Sequence, residues 1–299
     1  MQGADTVGCR LTIVLLCHLF NPTMAHLTDD EISRYQREGW VVPQWRLPAV
    51  QVTTMRDALD ELLRRNPGVR PEKLVSAHVE RSAAPGAPDN GEGVRGVADF
   101  LHLARNPEIV DLVSDLIGDD VILWGAHVFC KPAGDGYETP WHQDGHYWPI
   151  RPLATCTVWL ALDPSTRANG CLRVIPGSQR DQVLHKHLFE DRDDLTLQQR
   201  LAEAAFDEAC AFDIELQPGQ MSLHDVYMIQ GAAANTSAQR RTGVALRDLP
   251  ATSHFDRRLK SMDGKTGVAV NFAQRPLWMV KGADRCGLND LDVGHAPHA

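Results

Sequence analysis

The sequence predicts a mainly β fold, a sandwich or barrel of short strands behind a helical collar, and three observations carry that expectation. From Val121 onward the chain is a series of short runs rich in β-branched, aromatic and aliphatic residues, most of them punctuated by Gly or Pro, the texture of a closed or layered β architecture. Before Val121 the apolar residues recur at helical spacing instead. The length of 299 residues suits one such domain of about 200–250 residues with additions.

Residues 1–26 read as an N-terminal extension, disordered or peripheral, ahead of a single domain over 27–299. The apolar run 11–20 is too short to span a bilayer, follows a lone Arg10 and lacks a small-x-small cleavage site. Thr28-Asp29-Asp30-Glu31 is a capping box, and Ile32, Tyr35 and Gln36 follow at helical spacing until Gly39, which predicts a helix over 29–38. A second helix over 50–65 carries the stripe Met55, Leu59, Leu62 and Leu63 and stops at Asn66-Pro67-Gly68. Residues 85–96 form a Gly, Pro and Asn-rich loop. Asn106 as cap, Pro107 at the first position and Glu108 in the first turn start a third helix that ends at Gly118. Strands are expected over 121–130, 156–162, 171–175, 220–230 and 242–249. Between them, 194–209 reads as a helical insertion with Leu195, Leu201, Ala205 and Phe206 on one side, placed where a barrel carries a lid or a decorative helix.

A hydrophobic fraction of 43% and a charged fraction of 23% are those of an ordinary soluble domain. The net charge of −9, with no run of Lys and Arg, excludes a nucleic-acid surface. Seven widely spaced cysteines without Cys-x-x-Cys read as reduced thiols of a cytoplasmic protein. A small-molecule substrate is the expected partner, and the oligomeric state is unreadable.

The most informative stretch is Trp141-His142-Gln143-Asp144-Gly145-His146-Tyr147. On a strand the side chains two residues apart share a face, so His142 and Asp144 can offer one divalent ion an imidazole and a carboxylate. That is two thirds of the facial triad of non-haem Fe(II) oxygenases. A lone His-x-Asp is weak, since 13 histidines supply such triplets by chance and His254-Phe255-Asp256 is a second one, read as surface decoration. The company of the first is what distinguishes it. Asn169 to Ser178 (NGCLRVIPGS), Gly219 to Asp225 (GQMSLHD), Gly231 to Ser237 (GAAANTS) and Arg240-Arg241 follow in order. With His142-Gln143-Asp144-x-His146-Tyr147-x-Pro149-x-Arg151-Pro152, these blocks resemble the phytanoyl-CoA dioxygenase family of Fe(II)/2-oxoglutarate oxygenases.

The resemblance covers roughly residues 27–250 and implies a double-stranded β-helix, the cupin-like jelly roll, with Fe(II) at its open end. It implies that His142 and Asp144 are the first two metal ligands. It also implies that Arg241, eleven residues beyond the third-ligand position, holds the distal carboxylate of 2-oxoglutarate, a task suited to the guanidinium fork. Arg240 is the alternative, because strand alternation lets only one of the pair face inwards. Thr157 and Trp159 are further cofactor-side candidates, and ascorbate is the reductant such an enzyme would use. Trp141, Tyr147, Trp148 and Trp159 surround the expected mouth, and Tyr137, His146, Tyr147, Trp148 and Arg151 are the substrate-side candidates. No basic cluster suggests a coenzyme A site.

At the third-ligand position the family has His in a His-Gly-Ser pattern, whereas this chain reads Gln230-Gly231-Ala232. A glutamine amide oxygen is neutral like imidazole and can ligate, but matches Fe(II) less well. His224 is expected to lie six residues, about 20 Å, from Gln230 on one strand, too far to share its ion. His146 would reach only if the chain turns after Asp144. Two readings therefore stand: a working oxygenase with a His142, Asp144 and Gln230 triad, and a degenerate member acting as a binding module or partner subunit.

Overall fold

The computed structural model describes residues 25–80, 93–202, 205–258 and 272–295. Four helices come first in the chain: α1 (Asp29–Glu38), α2 (Ala49–Arg65), α3 (Ala98–Ala104) and α4 (Pro107–Ile117). Thr28 and Glu31 close the expected capping box on α1, and Gly39 ends it at φ 80°, a left-handed conformation that glycine adopts without steric cost. Asn106 caps α4 by accepting from the Glu108 and Ile109 amides. The short α3 was not expected, since it follows a Gly-rich loop and has no side-chain cap at Val97. The 11–20 run and most of the 85–96 loop lie outside the described residues. Ala25 packs on the core and His26 bonds Asp115, so the described fold begins there.

Strands β1 (Trp40–Val41), β2 (Leu74–Val75), β3 (Val121–Lys131), β4 (Thr139–His142), β5 (Ile150–Arg151), β6 (Cys156–Ala161) and β7 (Leu172–Val174) precede β8 (His187–Phe189) and β9 (Gln199–Leu201). Then come β10 (Phe212–Ile214), β11 (Met221–Asp225), β12 (Gln230–Ala232), β13 (Arg241–Pro250), β14 (His254–Phe255) and β15 (Trp278–Lys281). A major antiparallel sheet runs β1-β11-β6-β13-β3-β15 with β2 also on β3, and a minor sheet runs β10-β7-β12-β4. Together they make the jelly roll.

Period-two alternation sorts the major sheet into two faces. Ala126, Val128, Cys130, Val158, Leu160, Leu223, Val244 and Leu246 point outward, into one core with Met55, Leu59, Leu62, Phe100, Ile109 and Leu112 of the helices. Each fully buried Leu or Val there contributes roughly 1.5–3 kcal/mol. The alternate residues His127, Phe129, Thr157, Trp159, His224, Arg241, Ala245 and Arg247 line a cavity between the sheets.

Two expectations change. The segment 220–230 is two strands in different sheets: β11 ends at Asp225, whose carboxylate accepts from the Tyr227 amide (2.8 Å), and the chain crosses to the minor sheet before Gln230. The insertion 194–209 is not a helix but holds β9, paired with β8, and a 3-10 turn at Glu208–Cys210. Leu195 bridges Glu138 and the Thr196 amide donates to the Glu138 carbonyl (2.8 Å), so tertiary pairing overrides a helical pattern of only four apolar residues. His254-Phe255 is also less peripheral than its polar surroundings suggest, since it pairs with β5 and buries Phe255.

Candidate metal and cosubstrate site

The site forms where β4 and β12 lie side by side. Gln230 stands directly opposite His142, which places their Cβ atoms about 4.5–5.5 Å apart on one face. Both are buried and both line the cavity. Asp144 follows at the start of a 3-10 turn, Asp144–His146, with Oδ1 3.5 Å from His142 Nε2. His142 Nδ1 lies 2.8 Å from the Pro140 carbonyl. A carbonyl can only accept, so Nδ1 carries the proton and Nε2 faces the site, the tautomer a metal ligand needs.

Gln143, between the two, is fully buried and ties three loops together: its amide nitrogen donates to the Val183 and Tyr227 carbonyls, and its oxygen accepts from the His185 amide. Gly145 permits close approach, because a Cβ there would meet Leu153 Cδ2 at 2.6 Å. Burial by itself raises the Asp144 carboxyl, but the His142 ring beside it, with Nε2 3.5 Å away, and the positive charge of Arg247 carry it down to about 2. It is therefore ionised at neutral pH.

The cavity measures ≈ 380 Å³. Arg241 enters it at the start of β13, buried, its guanidinium carbon 5.3 Å from the Trp159 ring centre. Its one hydrogen bond goes to the Phe129 carbonyl at 3.4 Å, Nε has no partner, and no carboxylate lies in ion-pair contact among the described residues. Burial lowers its pKa to about 10, still charged at neutral pH. Gly243 gives Trp159 its place, since a Cβ at residue 243 would stand 2.0 Å from that ring. Arg240 points the other way and pairs with Asp163 at 2.9 Å. Lys131, paired in register with Arg241, donates to the carbonyls of Ala232 (3.2 Å) and Ala233 (2.5 Å), and its burial pushes its pKa well down.

The remaining sequence candidates divide. Thr157, Trp159, Tyr147 and Trp148 line the cavity; Tyr137, His146 and Arg151 do not. Arg70 covers the Tyr137 ring at 3.8 Å, His146 stacks on His187 at 4.1 Å, and Arg151 donates to the Trp148 and Ile150 carbonyls. His224 lies on the opposite wall from Gln230, on the other sheet, and burial lowers its imidazole to about 4. No three His, Cys, Asp or Glu side chains are grouped for a metal among the described residues. The neutral amide of Gln230, opposite His142 and in the same cavity, is the further donor beside His142 and Asp144. Arg247, Trp124 and His127 also line the cavity and were missed. Arg247 shares strand parity with Arg241, a signal that was available; Trp124 is turned inward by a bulge between Arg247 and Asp248, which no residue announces.

The family model described as phytanoyl-CoA dioxygenase (PhyH) matches residues 35–243. A probable phytanoyl-CoA dioxygenase of Caenorhabditis elegans is 24% identical over 234 residues, 73% of this chain and 74% of that one. An L-proline trans-4-hydroxylase of Streptomyces griseoviridis is 31% identical over 175 residues, and the match spans 56% of this chain and 59% of that relative. Among solved structures, CytC3 with Fe(II) and alpha-ketoglutarate superposes with a TM-score of 0.60 at 21% identity, covering 89% of this chain and 92% of that one.

Proposed function

The chain belongs to the phytanoyl-CoA dioxygenase family, and we propose that it is a working Fe(II)- and 2-oxoglutarate-dependent oxygenase that oxidises a C–H bond of a small or lipophilic metabolite. The observation that carries this reading is Arg241, a buried guanidinium without a counter-ion among the described residues, in the same cavity as His142, Asp144 and Gln230. A buried cation without an anion is costly, and the distal carboxylate of 2-oxoglutarate supplies one. The donor set fits the metal: an imidazole with its lone pair inward, an ionised carboxylate, and an amide with no hydrogen-bond partner among the described residues. His142, Asp144 and Gln230 would hold the iron, which together with 2-oxoglutarate and O2 supplies the oxidising power while 2-oxoglutarate leaves as succinate and CO2.

The chain's own residues then divide the work. His142 is fixed in tautomer by Pro140, and Gln143 locks the turn that carries Asp144. Arg241 orients the cosubstrate against Trp159, whose ring keeps water from the ion pair. Lys131 holds the backbone beyond β12 through two carbonyls and so positions Gln230. The relatives are named for phytanoyl-CoA and for L-proline, so family membership leaves the substrate open. The five described cysteines are unpaired, which suits a reducing, cytoplasmic setting.

Purified protein given Fe(II), ascorbate and 2-oxoglutarate is expected to form succinate and to lose that activity as Asp144→Ala. Absence of iron binding at micromolar levels, with both iron binding and turnover restored by Gln230→His, would make the protein a binding module instead.

A further inference from the structure

We propose that Arg247 anchors a carboxylate of the substrate, so that the molecule being oxidised is a small organic acid. The proposal rests on the oxygenase reading for the fate of that acid, not for its binding.

The register of β11, β6, β13 and β3 sets His224, Thr157, Arg247 and Gly125 in one row across the sheet. Gly125 faces Arg247 across the sheet, and a Cβ there would make only ordinary contact with Arg247 Cδ, at 3.9 Å. The rings of Trp124 and Trp148 flank the guanidinium carbon at 5.6 and 5.1 Å. Aromatic contact occupies the face of a guanidinium and leaves its N–H edge for an in-plane partner. That edge has no ion pair and no hydrogen bond among the described residues, and Nε, Thr157 Oγ1 and His224 Nδ1 are all buried without a partner. Three polar groups in one row across the cavity wall are thus left unsatisfied by the described residues.

The acids of the cavity do not answer to Arg247. Glu72 is paired with Arg70 at 2.8 Å. Asp144 acts on Arg247 through space without ion-pair contact, and as a metal ligand its charge is taken up by the ion. Of the two further arginines that line the cavity, Arg275 donates to Ser76. Arg241 lies six residues back on the same strand face, about 20 Å of extended chain, and serves the cosubstrate. A second guanidinium with a hydroxyl beside it suits the two oxygens of a second carboxylate, whereas a phosphate dianion calls for more cationic donors. The volume of ≈ 380 Å³, shared with 2-oxoglutarate, falls toward the low end of ligand pockets, about 300–1,000 Å³, and keeps the acid small.

Trp124 and Trp148 make the site readable by fluorescence. Acetate, butanoate and hexanoate, each beside its amide, are titrated into Mn(II)-loaded protein with saturating 2-oxoglutarate. At least one acid is expected to bind about tenfold more tightly than its amide, the scale of one charge-assisted hydrogen-bonded pair. Arg247→Met should erase that preference and Arg247→Lys should keep part of it. The same preference is expected in Arg241→Met without 2-oxoglutarate, so the anchor is read whether or not the cosubstrate binds. Equal affinity for acid and amide throughout the series, or an undiminished preference in Arg247→Met, would overturn the assignment.

Discussion

Strand β13 shows two faces of one backbone put to opposite uses. Its outward residues Thr242, Val244, Leu246 and Asp248 are buried under the helices, Val244 and Leu246 in the apolar core. Its inward residues Arg241, Gly243, Ala245 and Arg247 alternate with them; Arg241, Ala245 and Arg247 line the cavity and Gly243 lies against the Trp159 ring. Val244 and Leu246 of the first set are matched by apolar neighbours and Thr242 by Cys130; the second is two cations without counter-ions among the described residues, separated by two small residues that make room for rings and ligands. Stability and chemistry are thereby separated by one residue of register.

The largest effect that would break this contrast is on the outer face. Leu246→Ala should cost about 2–5 kcal/mol of stability through the cavity it leaves, read by denaturant unfolding, with 2-oxoglutarate affinity nearly unchanged in the folded fraction. The inner face should behave in reverse. Arg241→Met should weaken 2-oxoglutarate binding roughly a hundredfold, about 2.7 kcal/mol, while thermal unfolding of the ligand-free protein stays level or rises, since a buried unpaired charge has been removed.

Asp225 sharpens the contrast as an ionisable group on the outer side of β11. Burial raises its carboxyl to about 6, above the unfolded value near 3.9. A raised folded pKa gives stability that is full below the unfolded pKa and lost as pH rises through about 6. Asp225→Asn should therefore gain on the parent protein between pH 4 and 7, by about 1–2 kcal/mol, and a melting series over that range reads it. The smallest effect belongs to Arg240, which turns outward to Asp163. Arg240→Gln should cost under about 1 kcal/mol and leave 2-oxoglutarate binding as it was, in contrast to its neighbour.

Much of this was legible in the sequence. Thr28 with Glu31, Asn106 with Pro107, and the alternating strands each carry their own local signal, and those elements form where the residues place them. His142, Asp144 and Gln230 stood out through linked blocks in order, and the structure brings all three to one cavity. What stayed hidden depends on contacts distant in the chain. Residues 226–229 (VYMI) are as strand-prone as their flanks, and the break there is made by Asp225 accepting from Tyr227 and by Ser178 accepting from the Ile229 amide. The extended course of 194–209 comes from pairing with Glu138 and with β8. The bulge that turns Trp124 over Arg247 is a register shift between two strands, which neither sequence contains alone.

The most direct test is a calorimetric titration of 2-oxoglutarate into wild-type protein and Asp144→Ala, each with and without Mn(II). One molecule per chain should bind to the wild type, at least tenfold more tightly with the metal present, and the metal should make no difference in Asp144→Ala. Binding that ignores both the metal and residue 144, or no binding at all, would contradict a shared metal and cosubstrate site.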